Sequence, residues 1–174
     1  MIKRLIHKLF WKDIQITAEP NSFTSEQQNK EEKDGLIKKM QDYALSVLLG
    51  ECRAVNIIAI HCSESKSNEI LNLDDAELFF KDKFRKKVTY TDSYIPYHFL
   101  IINDGKILET APLSVPALSI SGHFNDGVSI CYVGGIDENG NTSESMTNEQ
   151  DESITWLVNE LKKNLGISSV IIDN

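Results

Sequence analysis

The spacing of apolar residues divides the chain into two parts. Apolar residues at positions 2, 5, 6, 9 and 10 predict a short amphipathic helix, and those at 36, 37, 40, 43, 44, 47 and 48 predict a second helix that ends at Gly50. The polar stretch between them, about residues 18–35, is predicted to be a linker. We therefore expect an N-terminal helical extension over residues 1–50.

From residue 51 onward the pattern predicts alternating strands and helices. Residues 55–60 are typical of a buried strand, and "YHFLII" and "KILET" predict a hairpin around the turn Asp104–Gly105. The run "GVSICYVGG" predicts a further buried strand, and "SSVIIDN" a short final one. Together with the intervening helices, these predict an α/β domain over residues 51–174, with a central mixed sheet flanked by helices.

Two helices between these strands carry start signals. In "LDDAELFFKDKFRKK", Asp74 is the expected N-cap and Glu77 completes a capping box. In "TNEQDESITWLVNELKKN", Thr147 and Gln150 form the same motif, and Gly166 follows the end of the helix. The second of these is the best-defined helix in the sequence.

Charge and cysteine content narrow the function classes. The net charge is −8, which disfavours nucleic acid and anionic membrane as partners of the body of the chain. The first helix is the exception, because residues 3, 4, 8 and 12 are basic. We expect residues 1–16 either to make a weak membrane or protein contact, or to dock on their own domain or on a second copy. Three cysteines without a CxxC pair predict free thiols rather than disulfides. The basic N-terminus does not match a signal peptide, so we expect cytoplasmic synthesis and leave the site of action open.

The strand end "NIIAIHCSE" allows three interpretations of His61. It is a metal ligand, half of a Cys/His nucleophile pair, or a histidine that merely ends a strand. Because side chains alternate faces along a strand, His61 and Cys62 should point to opposite sides, which disfavours the nucleophile pair. The same alternation separates Tyr97 from His98, so one of them faces the site and the other lies behind it.

The combination of motifs resembles the type 2 N-acetylmuramoyl-L-alanine amidases, a family that includes phage amidase lysozymes and is similar to the peptidoglycan-recognition proteins. The resemblance rests on "IHCSES", "YHFLIINDGKI", "GH" at 122–123, "VSICYVGGIDENG" and the capped helix "TNEQ", and it covers roughly residues 54–172. Residues 1 to about 50 have no counterpart in it.

The resemblance implies a role for each matching residue. It makes His61 a zinc ligand and sets Tyr97 beside the metal-bound water, where its hydroxyl helps polarise the scissile carbonyl. It places His123, and with it Asn125, in the substrate-binding groove. Zinc would be the implied cofactor, peptidoglycan the implied partner, and the amide between muramic acid and L-alanine the bond that is cut.

The sequence also departs from the family. The other two family zinc ligands, a histidine and a cysteine, follow the final strand, and here no histidine or cysteine comes after "SSVIIDN". An alternative ligand set consists of His61, His123 and Asp173. The family arginine after the "DG" hairpin is missing from "ETAPLSVP", and the loop after His123 is shorter than usual.

Three hypotheses follow from these departures. The one we favour is a degenerate, non-catalytic amidase-like domain that binds peptidoglycan fragments or, through its N-terminal helices, a protein partner. The second is an active zinc amidase, and the third is a truncated form of an active one. Zinc content and turnover on peptidoglycan separate the first two, and the coding sequence after Asn174 decides the third.

Overall fold

A computed structural model of the chain describes residues 25–116, 119 and 125–172. It contains three helices and five strands within these ranges. In chain order they are α1 (Ser25–Leu48), β1 (Ile57–Cys62), α2 (Leu73–Phe84), β2 (Phe99–Ile101), β3 (Ile107–Glu109), β4 (Gly127–Tyr132), α3 (Asn148–Leu165) and β5 (Ser169–Ile172). The predicted helix near the N-terminus, over residues 2–10, lies outside the described residues.

The five strands form one mixed sheet in the order β3-β2-β4-β1-β5. Neighbouring strands are parallel except β2 and β3, which are joined as an antiparallel hairpin through the predicted Asp104–Gly105 turn. The two central strands, β1 and β4, are almost wholly buried, as expected for parallel strands covered on both faces. The predicted α/β architecture is therefore confirmed, and the carboxyl ends of four strands meet along one edge.

Side chains alternate between the two faces of β1, and an apolar cluster lies on each face of the sheet. Ile58 and Ile60 point to the face covered by α1 and α3, where they join the larger apolar cluster. On the other face, α2 contributes Ala76 and Phe80 to a smaller cluster that includes Cys131 of β4. The sheet is thus a middle layer between one helix and two helices.

The linker expected over residues 18–35 is wrong for residues 25–35, because α1 begins at Ser25. Glutamate, glutamine and lysine are good helix formers, so a charged stretch of this composition can extend a helix that is anchored elsewhere. The anchor is tertiary: Met40 and Tyr43 are buried in the larger cluster with α3. Lys33 also lies over the ring of Trp156 on α3, 5.1 Å from its centroid. The remaining residues of the expected linker lie outside the described part of the chain.

The predicted N-cap is confirmed for one of the two helices and wrong for the other. For α3 the capping box of Thr147 with Gln150 and the stop at Gly166 are both confirmed. For α2 the expected N-cap is wrong: Asn72 caps the helix and accepts a hydrogen bond from the Asp75 amide at 3.0 Å. Asparagine is a strong N-cap residue, so the helix starts two residues earlier than the Asp74 box implied.

Candidate functional site at the carboxyl edge of the sheet

His61 and Tyr97 lie together where β1 ends and β2 is about to begin. Their ring centroids are 5.3 Å apart and the rings are tilted by 47°. Each residue is about 7% exposed, so only a small part of either side chain reaches solvent. Phe80 of α2 packs edge-on against the Tyr97 ring, and the two ring centroids are 5.5 Å apart. The two residues that the family resemblance assigned to the metal and to the carbonyl are therefore neighbours.

The register of the sheet adds a thiol to this pair. Cys131 of β4 is the direct partner of His61 on β1, and both belong to the face that α2 covers. Burial raises the pKa of the Tyr97 phenol well above its usual value, and the neighbouring Cys131 thiol raises it further. Burial also raises the pKa of the Cys131 thiol. At neutral pH the site therefore holds a protonated phenol and a protonated thiol, and the two side chains are hydrogen-bonded to each other.

A polar rim closes the same edge of the sheet. The Ser63 hydroxyl accepts a hydrogen bond from the Gly134 amide at 3.0 Å. Lys83 of α2 donates to the Ser63 carbonyl at 2.8 Å and to the Glu64 carboxylate at 2.7 Å. Gly134 has φ of +137°, and a Cβ there would lie 2.3 Å from the Ser145 hydroxyl, so the position requires glycine.

Lys83 is the residue of this edge that sequence reasoning missed. On sequence alone it is one lysine in a charged helix, and only the packing of α2 across the sheet brings it to the end of β1. The glycine pair 134–135 was visible as the end of a strand, but its contact with the serines after His61 was not. Both contacts are tertiary, and no local pattern encodes them.

The opposite face of the two strands confirms the predicted alternation. Cys62 lies against Gly135, whose added Cβ would be 3.0 Å from the Cys62 sulfur, and it is aligned with Tyr132. It does not share the face of His61, so the Cys/His nucleophile pair is excluded by geometry.

His98 is turned away from Tyr97, as expected, and is nearly fully buried. Its Nδ1 accepts from the Ser129 amide at 3.0 Å, so Nε2 carries the proton and donates to the Val115 carbonyl at 2.9 Å. Burial lowers the pKa of His98 to about 4; the hydrogen bond to Val115 opposes this shift and the nearby Arg53 guanidinium adds to it. His98 is therefore a neutral structural residue.

The remaining predicted site residues are not brought to His61 by the described part of the structure. Asn125 is exposed and precedes β4, at the amino ends of the parallel strands, whereas His61 lies at their carboxyl ends. Its backbone carbonyl accepts a hydrogen bond from Arg53 at 2.8 Å, which ties it to that opposite edge. His123 and Asp173 lie outside the described residues, so their roles stay predictions.

The described residues do not fit a three-ligand zinc site. Over 25–116, 119 and 125–172, no group of three histidine, cysteine or acidic residues is placed to hold a metal ion. Cys131 lies beside His61, and no third histidine, cysteine or acidic residue of the described ranges joins them in a metal-holding group. A catalytic zinc needs three protein ligands and an open position. The described residues therefore do not supply a hydrolytic zinc centre.

Part of this chain is similar in sequence to phage endolysins. No family model matches the chain. The endolysin of Enterobacteria phage K11 is 26% identical over 103 residues, which are 59% of this chain and 64% of the endolysin. The chain thus matches slightly less than two thirds of that relative's length.

Two solved structures extend the comparison. The N-acetylmuramoyl-L-alanine amidase LysC from Clostridium intestinale superposes with a TM-score of 0.54 and 19% identity, covering 69% of this chain and 70% of the amidase. The ectodomain complex of peptidoglycan recognition proteins LCa and LCx, solved with tracheal cytotoxin bound, gives a TM-score of 0.51 and 15% identity, covering 69% and 70%. This chain therefore has the fold shared by the N-acetylmuramoyl-L-alanine amidases and the peptidoglycan recognition proteins.

Proposed function

We propose that this chain is a degenerate amidase-like domain that binds muropeptides at the His61–Tyr97 edge and does not hydrolyse them. The observation that carries the proposal is the pairing itself. His61 and Tyr97 remain packed together at the end of β1, while the described residues around them offer no three-ligand metal group. Tyr97, the hydrogen-bond donor for a bound muropeptide, is present. The ligand set for a hydrolytic zinc is not present among the described residues.

The chemistry of the edge suits a sugar–peptide ligand. The Tyr97 phenol stays protonated across the physiological pH range because burial raises its pKa, so it can donate to a ligand carbonyl oxygen in place of the Cys131 side chain, with which it now shares a hydrogen bond. Lys83 and Glu64 place one cation and one anion on the rim, and muropeptides carry both carboxylates and amides. The complex of recognition proteins LCa and LCx with tracheal cytotoxin supports this interpretation, since the present chain shares its fold.

An active zinc amidase is the competing function, favoured by the fold of the amidase LysC and the similarity to the phage endolysin. In that case His123, or other residues that also lie outside the described ranges, would complete the zinc ligand set with His61. A third version, recognition of a protein partner through the N-terminal helices, places the contact on α1 rather than at the His61 edge.

The test combines metal content, turnover and binding in the full chain. We expect substoichiometric zinc after purification, no release of stem peptides from peptidoglycan, and saturable binding of a muramoyl tripeptide. Tyr97→Phe should weaken binding about 5- to 10-fold, the value of one neutral hydrogen bond. Tyr90→Phe, at an exposed tyrosine in the loop before β2, is the matched control and should leave binding unchanged.

Two outcomes would reject the proposal. One zinc per chain, lost together with peptidoglycan turnover on His61→Ala, would establish the amidase instead. Muropeptide binding that is absent, or equal in wild type and Tyr97→Phe, would remove the recognition role from this edge. Circular dichroism of each variant checks that the fold is kept.

A further inference from the structure

The C-terminal end of α1 carries a row of exposed leucines. Leu45, Leu48 and Leu49 are 57%, 84% and 64% exposed, and their spacing of three and four residues puts them on one side of the helix. Leu49 lies one residue past the helix end but still donates its amide to the Leu45 carbonyl at 3.0 Å. Single exposed leucines are ordinary, whereas three adjacent ones mark a surface that something covers. We call these three residues the leucine face.

The leucine face is separate from the side of α1 that builds the core. Met40 and Tyr43 are buried against the sheet and α3. Leu48 is the most exposed of the large apolar residues in the described part of the chain, so packing within that part does not explain its identity.

We propose that residues 2–12 of the same chain dock on the leucine face as an amphipathic helix. The segment has the matching pattern, with apolar residues at positions 2, 5, 6, 9 and 10. It can also reach. The 12 residues from 13 to 24 span up to roughly 40–43 Å when extended, and the 24 residues of α1 are about 36 Å long.

The charges around the leucine face favour residues 2–12 as its occupant over a second copy of the chain or an anionic membrane. The leucine face is flanked by the exposed acids Asp42, one turn before Leu45, and Glu51, two residues after Leu49. Residues 1–12 carry basic side chains at positions 3, 4, 8 and 12 and no acid, so their polar flanks complement these carboxylates. A second copy would instead bring the same acids against each other, and an anionic membrane would face a chain of net charge −8.

Docking at this place leaves the His61–Tyr97 edge open. The end of α1 lies at the amino edge of the sheet, because the Tyr43 hydroxyl donates to the Arg53 carbonyl and Arg53 in turn donates to the Gly127 carbonyl at the start of β4. His61 is at the opposite end of the strands. The inference is therefore independent of the proposed function.

A disulfide-trapping experiment in the full chain tests the contact. The variant Leu9→Cys with Leu48→Cys, in a Cys52→Ser background, is oxidised mildly and mapped by peptide mass spectrometry. We expect an intramolecular disulfide between positions 9 and 48. It should form at least about tenfold faster than the disulfide of a control variant, between positions 9 and 78. The control pair, Leu9→Cys with Leu78→Cys, uses a leucine of α2 that is 61% exposed and lies off the leucine face.

Hydrogen exchange provides a second readout without new cysteines. Amides of residues 2–12 should exchange at least about tenfold faster in the variant Leu45→Gln with Leu48→Gln, and at the wild-type rate in Leu78→Gln. Both changes are at exposed positions, so the fold should survive. Equal trapping rates for the two cysteine pairs, a disulfide-linked dimer through position 48, or failure of the 9–48 disulfide to form when phosphatidylglycerol vesicles are present during oxidation would each overturn the inference. The second outcome would assign the face to another copy, and the third would assign the segment to a membrane.

Discussion

The replacement Gln150→Ala tests how α3 is fixed to the sheet. Gln150 is fully buried in the first turn of α3. Its side-chain amide donates to the Ile101 carbonyl at 3.0 Å and to the Val133 carbonyl at 2.9 Å, while its oxygen accepts from the Thr147 amide at 3.0 Å. One side chain thus joins the helix start to the carboxyl ends of β2 and β4, the same edge that carries His61.

The expected cost follows from these three bonds. Each buried group left without a partner costs about 1–3 kcal/mol, and loss of the capping box costs about 1 kcal/mol. The Ile101 carbonyl keeps a second donor, the Val133 amide at 3.0 Å, so its penalty is at the low end. The total is about 3–5 kcal/mol, which for a chain of this size lowers Tm by roughly 6–20 °C.

Urea denaturation followed by far-UV circular dichroism measures this change. The matched control is Gln28→Ala at an exposed position of α1, which should change the free energy of unfolding by less than about 0.5 kcal/mol. A loss below about 1 kcal/mol for Gln150→Ala would refute the reasoning, because it would mean that water or a neighbour replaces all three bonds.

Three further results are expected. The pKa of His98 is about 4 in the folded chain against an ordinary value of 6.5, so the unfolded state takes up the proton first as pH falls. About 2–3 kcal/mol of the stability present at pH 7 should therefore be lost by pH 4.5, and His98→Asn should flatten that slope in urea titrations. Gly140→Ala should lower the free energy of unfolding by about 1 kcal/mol because of its positive φ alone. Gly105→Ala should cost at least about 2 kcal/mol more, since its Cβ would meet the carbonyl oxygen of residue 149 at 2.7 Å. Equal losses of stability in thermal melts of the two variants would contradict this clash. In a thiol titration with Ellman's reagent, the two partly exposed cysteines should react first and Cys131 only on unfolding, and three equally fast thiols would show that the His61 face is open to solvent.

The layered fold was predictable because its signals are local. Continuous apolar runs indicated the buried parallel strands, and an Asp–Gly pair between two strand patterns indicated the hairpin. The start of α1 was missed, because composition cannot tell a charged linker from a charged helix that is held by packing elsewhere. For α2, two acidic residues looked like a cap while the neighbouring Asn72 took that role.

The candidate site was predictable in part. Alternation along β1 and the family resemblance together brought His61 and Tyr97 to one place, and the two rings are neighbours in the structure. The family resemblance assigned Asn125, with His123, to the substrate-binding groove, and the strand register sets the Asn125 backbone at the edge opposite His61. Lys83 reaches the site through the packing of α2, which depends on contacts far apart in the chain.

The proposal that this fold recognises peptidoglycan without cutting it depends most directly on the fate of the ligand. A muramoyl tripeptide would be titrated into the full chain by calorimetry with zinc present, and the mass of the recovered ligand would then be measured by mass spectrometry. The account predicts saturable binding that weakens in Tyr97→Phe and a ligand recovered intact. Recovery of the free tripeptide stem, or the absence of any binding heat, would contradict it.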